Sequence, residues 1–168
     1  MFTAPDLDYA DKAAFYAELA AQARALVAGE DDPVANAANL AALVFHALPR
    51  INWAGFYFLA GDGLVVGPFQ GKPACVRIPL GKGVCGTAAA ERRAVVVDDV
   101  DAFPGHIACD AASRSEVVVP VEAGDGRLIG VLDIDSPEPG RFDAADAAGL
   151  ARIAAVYAGS LGAAGAGT

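Results

Sequence analysis

Apolar residues recur at helical spacing through the first part of the chain and then give way to short runs and alternation. Between Tyr9 and Val27, Phe15, Leu19, Leu26 and several alanines oppose Lys12, Glu18, Gln22 and Arg24, which predicts an amphipathic helix. Gly29 and the run Glu30-Asp31-Asp32-Pro33 end it and open a second helix. That helix spans Pro33 to Leu48, with Asp32 as N-cap, Pro33 at the first position and Pro49 as its stop. Its apolar face carries Leu40, Leu43, Val44 and Leu48.

From Asn52 the period changes. Asn52 to Ala60 is aromatic and β-prone, Gly61-Asp62-Gly63 is a turn, and Leu64 to Phe69 returns as a second strand, so a hairpin is expected. Short strands are expected at Cys75 to Pro79 and Ala94 to Val97, with a helix from Gly83 to Arg92 between them. Asp98 to Ser115 contains Pro104-Gly105 and no clean period, which predicts a long irregular loop, the kind of segment where function concentrates. Val117 to Glu122 and Leu128 to Ile134 flank a turn at Gly124-Asp125-Gly126 and form a second hairpin. After Pro139-Gly140 a last helix runs from Asp143 to about Leu161. The pattern predicts an α+β fold, an α/β sandwich in which helices flank one antiparallel sheet. It predicts a single domain over residues 1–161 and a flexible Ala/Gly-rich tail over 162–168.

The net charge of −9 sets the average field against a phosphate backbone, so nucleic acid is not an expected partner. Arg92 and Arg93 are adjacent, but no longer basic run exists. No stretch approaches the roughly 20 uncharged apolar residues of a membrane span. Met1 to Lys12 holds three aspartates and neither a basic n-region nor an apolar h-region. A cytoplasmic protein is therefore expected. Its three cysteines, an odd number, argue against a structural disulfide framework. They leave buried filler, metal ligation or redox chemistry.

Cys109 lies in the long loop, in Gly105-His106-Ile107-Ala108-Cys109-Asp110, where reactive thiol and buried filler are both open readings. Cys85, in Gly83-Val84-Cys85-Gly86-Thr87, opens a helix whose N–H groups favour a thiolate or an anion, though a small residue packed against the sheet fits as well. Cys75 follows Lys72 closely. A zinc site from His106, Cys109, Cys75 and Cys85 lacks the tight Cys-x-x-Cys pairs of structural zinc. In Leu132-Asp133-Ile134-Asp135, a period of two puts both aspartates on one strand face, and Glu116 precedes the neighbouring strand. These carboxylates form either a solvated face or a crowded pocket in which one stays protonated and acts as an acid. Trp53, Phe56 and Tyr57 divide between core and pocket.

Several strings together resemble the GAF-domain free methionine-(R)-sulfoxide reductases. They are Asn52-Trp53-Ala54-Gly55-Phe56-Tyr57, Gly67-Pro68-Phe69-Gln70-Gly71-Lys72, Gly83-Val84-Cys85-Gly86, and Phe103-Pro104-Gly105-His106-Ile107-Ala108-Cys109-Asp110. Ser115-Glu116-Val117-Val118-Val119-Pro120 and Gly130-Val131-Leu132-Asp133-Ile134-Asp135-Ser136 complete the resemblance, which runs from about Asn52 to Asp146. It implies a GAF-like fold in which Cys109 attacks the sulfoxide and Cys75 and Cys85 are its disulfide partners. It implies that Glu116, Asp133 and Asp135 form the acidic pocket, with Trp53 and Tyr57 as its walls. Catalytic work would fall to Cys109, Cys75, Cys85, Glu116 and Asp135. Free methionine-R-sulfoxide would be the substrate and thioredoxin the electron donor, with no bound cofactor or metal, a role in oxidative stress and a homodimeric assembly. Asp101 stands where the family often carries a histidine, and it is assigned no role. The competing classes are a non-catalytic GAF sensor for a small ligand such as a cyclic nucleotide, and a zinc-stabilised interaction module. A pure sensor would not need three cysteines, and a chain of 168 residues leaves no room for its output domain, while metal analysis separates the zinc module.

Overall fold

The computed structural model describes residues 8–107 and 111–162. The predicted tail beyond Gly162 and the segment Ala108–Asp110 lie outside the described residues. Helix α1 spans Lys12–Val27, beginning later than its apolar pattern because the Asp11 side chain accepts from the Ala14 N–H and caps it. Helix α2, Pro33–Ala47, is capped as expected: Asp32 accepts from the Ala35 N–H and proline stands in the first turn. Strands β1 (Trp53–Ala60) and β2 (Gly63–Gly71) form the first hairpin, β3 (Arg77–Pro79) the short edge strand, and α3 is Gly83–Glu91. Strand β4 (Val95–Val97) leads into a single 3-10 turn at Val100–Ala102, the one regular element inside the expected loop among the described residues. Strands β5 (Ser115–Glu122) and β6 (Leu128–Ser136) make the second hairpin, and helix α4 is Ala144–Ser160. Asp143 opens α4 in a reciprocal capping box with Asp146.

The six strands lie in the order β3-β2-β1-β6-β5-β4, and every pairing is antiparallel. Alternation splits the sheet into two chemistries. One face sends Ala54, Phe56, Val117, Val119, Val121, Leu132 and Ile134 into a core shared with α1, α2 and α4. The opposite face carries Trp53, Tyr57, Val118 and Val131 and is covered by α3 and neighbouring loops. Phe56 therefore belongs to the core, while Trp53 and Tyr57 share the other face.

Gln22 departs from its expected place on the polar side of α1: it is 6% exposed, and neither side-chain polar atom has a hydrogen-bond partner among the described residues. Alanines surround α1 so evenly that the spacing of its few large residues does not fix the buried arc. Behind the sheet, Asp146 is fully buried at the α1–α4 contact. It accepts from Tyr16 Oη at 2.8 Å, Lys12 Nζ at 2.7 Å and the Tyr9 hydroxyl, with Arg141 Nη1 at 3.7 Å. No helix among the described residues is long and apolar enough to cross a membrane.

Candidate active site

Strand register brings the acidic residues together. Asp135 faces Trp53 on β1 and Glu116 on β5, so these residues form one row across three strands. Asp133 sits in the next row, opposite Gly55 and Val118. Successive rows on one face place the carboxylates beside the aromatic rings. Gly55 is needed here: a Cβ at this position would stand 2.3 Å from Phe69 Cβ and 2.7 Å from the Trp53 ring. Its absence lets the indole lie along the sheet, stacked 5.1 Å from Phe69 and 5.8 Å from Tyr57. The indole N–H donates to the Lys72 carbonyl at 3.1 Å, and Tyr57 Oη donates to the Cys75 carbonyl at 3.0 Å. The two rings thereby hold the loop between β2 and β3.

Over this face lies a narrow cleft. Trp53 and Tyr57 wall it, Glu116, Asp133 and Asp135 form its acidic floor, and Gly83, Val84 and Cys85 bring the first turn of α3 to its side. Lys72, Pro73 and Ala74 rim it on one flank, and His106, Ile107 and Ser113 on another. The last three stand on either side of residues 108–110. Cys109 itself, the expected nucleophile, lies outside the described residues. Gly83 has φ +60°, and Ile107 approaches it so closely that a Cβ there would stand 3.2 Å from Ile107 Cγ1. The positive φ favours glycine here, and the tight approach of Ile107 adds to that preference.

Glu116 and Asp133 are 6% and 5% exposed. Burial pushes the carboxyl of Asp133 up to about 7, against opposing hydrogen bonds from Cys85 and Glu116. Glu116 is held well above the usual carboxylate range, first by burial and then by the charges of Asp133 and Asp135. Two buried acids that hydrogen-bond each other retain a proton at neutrality. Cys85 completes the cluster: its Sγ lies 3.2 Å from Asp133 Oδ2 and 3.8 Å from Glu116 Oε1. Burial, followed by the negative field of these acids, raises the thiol well above its ordinary value. The helix N-terminus therefore does not generate a thiolate at Cys85; the group is a buried S–H donor. Tyr57 is raised in the same way, by burial and then by Asp133, and stays protonated.

Cys75 is disulfide-bonded, whereas Cys85 is a free thiol. Of the residues expected from sequence, Trp53, Tyr57, Cys85, Glu116, Asp133 and Asp135 converge on the cleft, and Cys75 is tied to its wall through Tyr57. Ser113 was not anticipated. It lines the cleft and accepts from Asn52 Nδ2 at 3.1 Å, a tie across 61 positions for which a lone serine in a loop carries no local signal.

The GAF domain model matches residues 34–161. The chain is 56% identical over 146 residues to Protein YtsP of Bacillus subtilis (strain 168), covering 86% of this chain and 89% of that one. It is 54% identical over 145 residues to the free methionine-R-sulfoxide reductase of Escherichia coli (strain K12), covering 86% and 87%. The X-ray structure of free methionine-R-sulfoxide reductase from Neisseria meningitidis in complex with its substrate superposes with a TM-score of 0.90 at 46% identity, covering 96% of each chain. A fold, a site and sequence relationships of this extent lead to one conclusion: the chain belongs to the GAF-domain free methionine-R-sulfoxide reductase family, a family of oxidoreductases.

Proposed function

We propose that this enzyme reduces free methionine-R-sulfoxide to methionine in the cleft between Trp53, Tyr57 and the Glu116–Asp133 pair, with Cys109 as the attacking thiol. The observation that carries this reading is the buried acid pair, which keeps a proton near neutrality at the floor of an aromatic-walled cleft. Sulfoxide reduction needs such a proton, because the oxygen leaves the sulfur only as its charge is neutralised. The solved relative named with its substrate supports the same substrate here.

Cys109 attacks the sulfoxide sulfur, Glu116 or Asp133 protonates the oxygen, and the S–O oxygen passes to Cys109 as a sulfenic acid while methionine departs. The Cys75 thiol then displaces water from the sulfenic acid, leaving a Cys75–Cys109 disulfide. Thioredoxin reduces it by thiol exchange, closing the cycle without a bound cofactor. The disulfide-bonded state of Cys75 beside a free Cys85 supports Cys75 as the resolving partner. Asp135 and its neighbours pair with the substrate ammonium. The uncapped N–H groups at the start of α3, where Lys82 makes no side-chain cap, receive the substrate carboxylate. A peptide-bound methionine sulfoxide lacks both charges and is rejected. A cyclic nucleotide would set its phosphate against three carboxylates, which disfavours the sensor reading.

The test is thioredoxin-coupled turnover of free methionine-R-sulfoxide beside its S epimer and a peptide-bound sulfoxide. Turnover of the free R form, abolished in folded Cys109→Ser, is expected. Equal turnover of the peptide-bound form, or substantial activity in Cys109→Ser, would overturn the assignment. Peptide mapping after one turnover without reductant should find Cys75 linked to Cys109.

A further inference from the structure

Cys85, Glu116 and Asp133 present their ligating atoms to one point, all within 4.8 Å of one another and all buried. A tetrahedral ion bound to sulfur at about 2.3 Å and oxygen at about 2.1 Å holds these two ligands about 3.6 Å apart. The sulfur–oxygen distances here, 3.2 and 3.8 Å, fall on either side of that separation. A second observation points to a ligand. Asp133 is 5% exposed and lines the cleft, yet its Oδ1 has no hydrogen-bond partner among the described residues. One soft and two hard donors in a tight, low-coordination set suit zinc; calcium and magnesium ask for six or more oxygens. This set shares only Cys85 with the histidine–cysteine grouping that the sequence raised.

We propose that the cleft is also a Zn²⁺ site, held by Cys85, Glu116 and Asp133, and that the ion inhibits the enzyme by occupying the acids that substrate requires. The fourth position is left to water from the cleft. Coordination replaces the thiol proton with metal, and that proton passes to buffer. Because Cys85 is free while Cys75 is disulfide-bonded, the site persists in the oxidised enzyme and does not depend on the loop thiols. Inhibition rests on the proposed reductase activity; binding does not.

The experiment titrates Zn²⁺ calorimetrically into the full-length oxidised protein, in which Cys85 is the free thiol. Cd²⁺ is used in parallel to read the thiolate-to-metal charge-transfer band. Saturable binding of a single ion is expected, weakened at least about a hundredfold in Cys85→Ser and in Glu116→Gln, with thermal melts confirming that each variant is folded. The second variant covers a folding failure of the first. Absence of saturable binding, or undiminished binding in both folded variants, overturns the site. In turnover assays with free methionine-R-sulfoxide, Zn²⁺ should raise KM, leave kcat unchanged, and be reversed by a chelator. Unchanged turnover at saturating Zn²⁺ overturns the inhibitory role. Zn²⁺ binding in a protein that turns over no sulfoxide leaves the site standing and removes the reductase reading.

Discussion

Asp133→Asn should separate stability from activity, and the separation should depend on pH. Asp133 rises from 3.8 to about 7 on burial in the folded chain. Between those values the folded state binds more protons than the unfolded one, so stability falls as pH rises through the window. At 1.36 kcal/mol per pH unit the full span is worth at most about 4 kcal/mol, present near pH 4 and lost by pH 8. Asparagine copies the neutral acid: its carbonyl can still accept from the Cys85 thiol, and its amide can donate to Glu116. The variant therefore loses Asp133's share of the pH dependence while keeping the geometry. Urea denaturation at pH 4.5, 6 and 7.5 is the assay. Wild type and variant should be closest at pH 4.5, and the variant should gain steadily from there to about pH 7 and little beyond it. Turnover of methionine-R-sulfoxide by the variant should fall by at least about a hundredfold, the scale of a lost general-acid contribution. Denaturation midpoints that run parallel across this range would refute the buried acid pair.

Gly149→Ala should destabilise the fold by about 1–3 kcal/mol, because the new Cβ would stand 2.0 Å from the Tyr16 ring, which its hydroxyl fixes on Asp146. The position lies behind the sheet from the cleft, so a lowered Tm with unchanged turnover per folded molecule is expected. Asp146→Asn leaves buried Arg141 without its carboxylate and should cost about 3–5 kcal/mol, read by denaturation at neutral pH. Tyr57→Phe removes the bond to the Cys75 carbonyl, with a stability loss of about 1 kcal/mol. It should slow disulfide formation after the first turnover, a step followed by quenched-flow thiol counting.

The antiparallel sheet and its acidic row were legible because strand periodicity is local. Two residues separate Asp133 from Asp135, and the second hairpin sets Glu116 against Asp135 by register alone. The Asp32 cap was legible for the same reason, since it sits next to the helix it opens, whereas Asp143, read as the first residue of α4, is its cap. Cys85 was harder. Its neighbours in sequence describe a helix N-terminus and a possible thiolate. Its state is decided first by burial and then by Asp133, 48 positions away, which α3 meets only by crossing the sheet face. Gln22 failed for a different reason: alanine spreads weak apolarity around α1 and leaves the buried arc underdetermined.

The division of the sheet explains how such a site is tolerated. Raised carboxyls, a buried thiol and a carboxylate oxygen without a partner among the described residues all weigh against folding, and all lie on one face. The opposite face of the same strands buries Phe56, Val117, Val119, Val121, Leu132 and Ile134 against three helices. Each strand thus carries stabilising and strained residues in alternation, with the core positions anchoring the backbone that the functional positions share. On that arrangement the cleft side can exchange chemistry more readily than the core side can exchange volume. Substitutions at Trp53, Glu116 or Asp133 would alter the cleft lining alone, whereas enlarging Ala54 or truncating Leu132 would shift the rows themselves and disturb all of the carboxylates together.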